Sequence, residues 1–228
     1  MIFRQLFDSN TYTYTYLIGC EQTREAAIID PVLDNLNTYL QLLDQLQLTL
    51  TYALDTHTHA DHITALGALR DQTGCITLMG EQSQAACISR TIKNNDFIMI
   101  GQYKITALYT PGHTDESYSY LMNDRIFTGD TLLIRGTGRT DFQAGDAAAS
   151  YQSITEILFK LPDGLMVYPG HDYKGWTVST IGEEKQYNPR LSGKSREDYI
   201  DIMNTLNLPD PKMMDIAVPS NLRCGQLL

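Results

Sequence analysis

The stretch Thr56-His57-Thr58-His59-Ala60-Asp61-His62 constrains this chain more than any other. Three imidazoles and a carboxylate fall within six residues. Of the five histidines in the chain, the two outside this stretch, His113 and His171, each follow a Pro-Gly pair. Imidazole and carboxylate suit zinc and iron, so histidines deployed in this way point to a metal site. A fold that serves such a site must bring distant segments together.

The flanking pattern indicates how. Residues 50–54 read as a strand that delivers Asp55 and the histidine cluster, and Ile63, Leu66 and Leu69 carry a helical stripe out of it, ended by Gly74. The cluster therefore sits on a strand-to-helix loop, where ligand groups gather in β–α units. Strands near 103–109, 125–128 and 165–168 end at His113, Asp130 and His171. With those strand ends side by side, seven donors converge: His57, His59, Asp61, His62, His113, Asp130 and His171. Spacing alone fits one ion or a pair of zinc ions.

The remaining segments alternate between strand and helix patterns. Residues 11–16 alternate Thr and Tyr and read as a half-buried strand. Residues 26–29, 76–79 and 97–100 read as strands, and Asn123-Asp124 as a hairpin turn. Asp34 is a candidate N-cap for a helix carrying Leu36, Tyr39, Leu40 and Leu43, and residues 81–94 read as helix and loop. The glycine-rich stretch 135–145 lacks the GxxxxGK[ST] pattern of a phosphate cradle. Asp146 can cap a helix to about residue 161, and a further helix is expected over 177–188. Ser195 to Asp198 has the form of a capping box opening a helix to about residue 206. Pro209, Pro211 and Pro219 suggest an extended tail. The expectation is one α+β domain over 1–228, with 191–228 a helix and tail packed on it.

With 228 residues, 43% of them hydrophobic, the chain can bury a sizeable core, and a net charge of -10 argues against nucleic acid as a partner. Cys20, Cys75, Cys87 and Cys224 show no close pairing and read as reduced thiols in a cytoplasmic protein. No signal peptide or membrane span is evident. A tail of this kind allows a homodimer.

His57-Thr58-His59-Ala60-Asp61-His62, with His113, Asp130 and His171 at these intervals, resembles the metallo-β-lactamase superfamily. That resemblance implies an αββα sandwich, two β-sheets flanked by helices, with the metal at one edge. Further stretches are similar to the persulfide dioxygenases (sulfur dioxygenases): 128–136, 138–143, 169–173, 177–184, 188–191 and 217–225. The likeness covers nearly the whole chain. One departure is Asp146, where members of that family often carry Cys after Gln-x-Gly.

The resemblance implies one Fe(II) per chain, held by His57, His113 and Asp130. It implies glutathione persulfide, O2 and water as reactants, with sulfite and glutathione as products. His59, Asp61, His62 and His171 would surround the ion without binding it, Asp61 and His59 serving as partners for water or oxygen. An acidic protein needs local cations to hold glutathione's two carboxylates, and Arg139 and Arg190 are the candidates, with Tyr173 adding a hydroxyl. A dizinc thioesterase of the hydroxyacylglutathione hydrolase type is the main competitor; that family often adds a long helical C-terminal domain, and 57 residues follow His171 here. A β-lactamase, or a member that binds without turnover, is a more remote alternative.

Overall fold

The structure, a computed structural model, describes residues 1–211 and 213–226. Residues 212, 227 and 228 of the expected tail lie outside the described residues. Six strands form a first sheet: β1 (Ile2–Asp8), β2 (Thr13–Gly19), β3 (Glu25–Ile29), β4 (Thr49–Leu54), β5 (Ile76–Gly80) and β6 (Arg90–Ile92), in that spatial order. β1, β2 and β3 pair antiparallel, and β3 to β6 pair parallel. The helices α1 (Leu36–Gln45) and α2 (Leu66–Thr73) connect the parallel strands. The second sheet holds β7 (Phe97–Ile100), β8 (Tyr103–Tyr109), β9 (Tyr118–Leu121), β10 (Arg125–Gly129), β11 (Met166–Pro169) and β12 (Ser179–Thr180), ordered β12-β11-β10-β9-β8-β7. Four further helices follow β10: α3 (Ala147–Gln152), α4 (Ile181–Tyr187), α5 (Arg196–Asn204) and α6 (Met214–Asn221).

Strand alternation explains the layers. Tyr16, Ile18 and Ile29 of the first sheet meet Ile105, Tyr120 and Phe127 of the second in a central core. Their neighbours point the other way: Leu17 and Ile28 pack under α1 and α2, and Ile126 and Val167 pack under the helices beyond β10. Both faces of each sheet are covered, which gives the expected αββα sandwich. Truncating a fully buried ring such as Phe127 to Ala would cost about 3–5 kcal/mol.

Several local expectations are corrected. β2 is buried along its whole length, because Thr15 Oγ1 meets Tyr39 Oη of α1 at 3.0 Å and donates to the Asp30 carbonyl, while Thr13 Oγ1 faces Asp61 and His171. Asp34 lies in a 3-10 turn and does not cap α1. No helix occurs over 81–94; β6 and irregular backbone run there, and Cys87 is joined by a disulfide to Cys224. The four cysteines are therefore not all thiols; Cys20 and Cys75 are free and buried. Asp146 does cap α3, accepting from Ala149 N–H at 2.8 Å, but α-helix gives way to a wider π turn and a 3-10 turn after Gln152. Thr180 caps α4, so the expected helix begins four residues late. The Ser195–Asp198 capping box forms as expected. The stretch read as extended contains α6, with Pro219 inside it. No helix among the described residues is long and apolar enough to cross a membrane.

Candidate metal centre

Four strand ends converge at one edge of the sandwich. β4 ends in the loop bearing His57 to His62, β8 runs on to His113, β10 to Asp130 and β11 to His171. The two sheets are stitched together there: Tyr14 N–H donates to the Gly170 carbonyl at 2.8 Å, and Asp172 N–H to the Tyr12 carbonyl at 3.2 Å. The packing is close enough to require glycine. A Cβ at Gly170 would lie 2.7 Å from Asp130 Oδ1, and one at Gly138 2.8 Å from His113 Nδ1.

One donor atom each from His57, His113 and Asp130 lie within 4.8 Å of one another. Each residue's other polar atom is engaged. Arg139's carbonyl sits 2.6 Å from His113 Nδ1, which must therefore carry the proton, leaving the Nε2 lone pair free. Thr56 Oγ1 donates to Asp30 Oδ2 at 3.0 Å and so accepts from His57 Nδ1 at 2.9 Å. Asp130 Oδ1 accepts from His171 Nδ1 at 2.7 Å, leaving Oδ2 3.7 Å from His113 Nε2. Partners of this kind fix the tautomer and orientation of metal ligands. Burial, with His59 and His113 nearby, holds His57 well below the usual imidazole range. Burial would raise Asp130, but His171, His113 and His57 together outweigh it and keep the carboxylate ionised. The donor set thus offers two imidazole nitrogens and one carboxylate, which fits a divalent ion.

A second triplet, His59, Asp61 and His62, also has donors within 4.8 Å. Asp61 Oδ2 accepts from His171 Nε2 at 2.9 Å and from His62 Nδ1 at 3.0 Å. His59 Nδ1 and His62 Nε2 are buried without a hydrogen-bond partner. His171 bridges the triplets; burial alone would lower it, but Asp130 and Asp61, one on each ring nitrogen, raise it well above the usual imidazole range. His59 turns Nε2 to Asp30 Oδ1 at 3.2 Å and does not line the cavity.

The cavity beside the centre encloses about 540 Å³. Asp61, His113, Asp130 and His171 form its floor, and Leu133, Ile134, Phe142 and Leu208 make much of its wall apolar. The predicted cations differ in state. Arg139 is neutralised: its guanidinium grips Asp141 at 2.7 and 2.8 Å, bonds the Pro209 carbonyl at 2.7 Å and lies over Phe142. Arg190 donates Nη1 to the Thr137 carbonyl at 2.6 Å and is shifted downward by burial, with no carboxylate opposing that shift. Tyr173 stands at the mouth, 65% exposed, its ring stacked on His171. Lys174, absent from the sequence expectation, also lines the mouth. Asp30, Thr56 and Asn221 were missed as well; nothing in local spacing marks them, since each acts through contacts made by the fold.

The sequence matches the Metallo-beta-lactamase superfamily over residues 9–85 and 91–171. The chain belongs to that superfamily. Within it, the mouse protein "Persulfide dioxygenase ETHE1, mitochondrial" is 46% identical over 99% of this chain and 89% of its own length. The crystal structure of ETHE1 from Myxococcus xanthus superposes with a TM-score of 0.97 at 57% identity, covering 99% of this chain and all of that one. A probable hydroxyacylglutathione hydrolase of Schizosaccharomyces pombe is more distant, 32% identical over 89% of this chain and 90% of its own. The superfamily fold accounts for the sandwich and for the histidines at its edge.

Proposed function

We propose that this chain is a persulfide dioxygenase that oxidises glutathione persulfide to glutathione and sulfite, with one Fe(II) per chain held by His57, His113 and Asp130. The reaction balances as GSSH + O2 + H2O → GSH + SO3²⁻ + 2 H⁺. The observation that carries this reading is a cluster of two imidazoles and one carboxylate beside the cavity, each with its other polar atom already bonded. Such a facial set is the arrangement non-haem Fe(II) oxygenases use. When bound, the ion would bring an anionic sulfur and O2 together and supply the redox chemistry between them.

The chain's own residues do the rest. Arg190, a half-buried cation without a carboxylate, grips a carboxylate of the glutathione moiety. Lys174 and Tyr173 serve the second carboxylate at the mouth. Leu133, Ile134 and Phe142 exclude bulk water from the reacting sulfur. His171 holds a proton between Asp61 Oδ2 and Asp130 Oδ1 and so fixes the direction of Asp130. Asp61, which lines the cavity, orients the water that releases sulfite. Arg139 shapes the wall and, through its carbonyl, His113.

The same proposal places the protein in the cytoplasm as a single-domain homodimer. The free thiols Cys20 and Cys75 support the location, against which stands the Cys87–Cys224 bond. The exposed aromatic row Phe7, Tyr12 and Tyr173 supports self-association. An oxygen electrode tests the activity: adding glutathione persulfide to the iron-loaded protein should consume one O2 per sulfite formed, and absence of uptake would reject the reading. The unpartnered His59 Nδ1 and His62 Nε2 favour a second reading, a two-metal thioester hydrolase. That enzyme would carry two zinc ions and consume no O2.

A further inference from the structure

The loop over 55–65 has neither helix nor regular strand, so its backbone N–H and C=O groups must find partners elsewhere. Three of them go to one side chain. Asn221, in α6, donates from Nδ2 to the carbonyls of His59 and His62, each at 2.8 Å, and its Oδ1 accepts from Thr64 N–H at 2.9 Å. Both amide donors and the amide acceptor are thereby used. Two carbonyls face the nitrogen and one N–H faces the oxygen, so the orientation of the amide is determined. Asn221 is 3% exposed.

The two carbonyls it holds bracket Asp61. From Asp61 the contacts run through His171 Nε2 at 2.9 Å to His171 Nδ1 and Asp130 Oδ1 at 2.7 Å. The turn that follows α6 is itself fitted closely against the start of α2. Gly67 N–H donates to the Cys224 carbonyl at 3.0 Å, and a Cβ at Gly67 would lie 2.6 Å from that oxygen. A Cβ at Gly225 would lie 2.0 Å from the Thr64 carbonyl oxygen. The disulfide from Cys224 to Cys87 adds a covalent tether three residues beyond the amide.

We propose that Asn221 is a positioning residue for the metal centre: it sets the 59–64 turn, which sets Asp61 and, through His171, the direction of Asp130. The C-terminal segment is on this account a working part of the site. The inference rests on the reading that His57, His113 and Asp130 hold the ion.

Anaerobic titration of the metal-free protein with Co(II) tests it. Asn221→Ala should raise the Co(II) dissociation constant by about 10–100-fold, the range typical of partners that orient ligands. The nearly isosteric Asn221→Asp keeps the acceptor, loses both donors, and should do the same should the alanine variant not fold. Amide exchange over 57–64 should quicken in the metal-free variants, while KM for the persulfide stays within twofold of wild type once iron is saturating. Cys87→Ser, which loses only the tether, should weaken Co(II) binding by less than either. Leu43→Ala, a buried truncation under the first sheet, should lower Tm and leave Co(II) affinity unchanged. Wild-type affinity in both Asn221 variants, or an equal loss in Leu43→Ala, would overturn the inference. His57→Ala tests the underlying ligand reading separately: normal Co(II) binding there would reject the ligand set, whereas lost binding there with wild-type binding in the Asn221 variants would reject only the role of Asn221.

Discussion

The floor and the wall of the cavity are built on different principles. At the floor, where His113 and Asp130 line the cavity and His57 lies buried beside them, each of the three has a second polar atom tied to a partner, so their free atoms are aimed before any ion arrives. On the wall, Arg139 is spent on Asp141 and Arg135 on Glu183 and Glu184, whereas Arg190 has no carboxylate partner. Side chains of the same type, facing the same cavity, are therefore in opposite electrostatic states. The difference teaches that geometry is fixed on the floor and charge is held in reserve on the wall. Metal affinity should respond to one set of residues and substrate affinity to the other.

The largest effect should come from the floor. His113→Ala or Asp130→Ala should weaken Fe(II) binding by more than the ~100-fold seen on losing outer partners and abolish oxygen uptake, as read by metal analysis and electrode. On the wall, Arg190→Ala should leave iron content unchanged and raise KM for glutathione persulfide about 10–100-fold, since a charged hydrogen bond contributes about 1.5–3 kcal/mol. Arg139→Ala should raise KM only a few-fold, because Asp141 already neutralises that guanidinium. Equal KM effects from the two arginines would break the contrast between a paired and an unpaired guanidinium.

The smallest effect concerns the bridge between the two triplets. His171 carries a raised pKa, so its imidazolium stabilises the metal-free fold fully below the unfolded value near 6.5, and that contribution fades as pH rises through the folded value. The stability difference between metal-free wild type and His171→Gln, from urea unfolding, should narrow as pH increases. A gap that widens with pH would place the proton elsewhere.

The floor was legible in the sequence because strand ends carry it. His113, Asp130 and His171 each terminate a strand, and parallel or neighbouring strands bring their ends together whatever lies between. The choice between one ion and two was not legible, because it turns on which ring nitrogen is already bonded. The wall was read only as a list of cations. Arg139 is neutralised by a residue two positions away, yet nothing in Arg139-Thr140-Asp141 says that the side chains meet. Lys174 and Asn221 escaped notice because their roles come from docking across the fold; Asn221 and His59 are 162 residues apart. The prolines of the tail suggested extended chain, but Pro219 sits late in α6, a helix held by its buried Ala217, Ser220 and Asn221. Likewise the Cys87–Cys224 bond spans 137 residues and has no local spacing signature.

Anomalous diffraction at the iron edge, from crystals of the iron-loaded protein, tests the central claim most directly. The account predicts a single peak at bonding distance from His57 Nε2, His113 Nε2 and Asp130 Oδ2. A peak among His59, Asp61 and His62, or a pair of peaks filling both triplets, would contradict it.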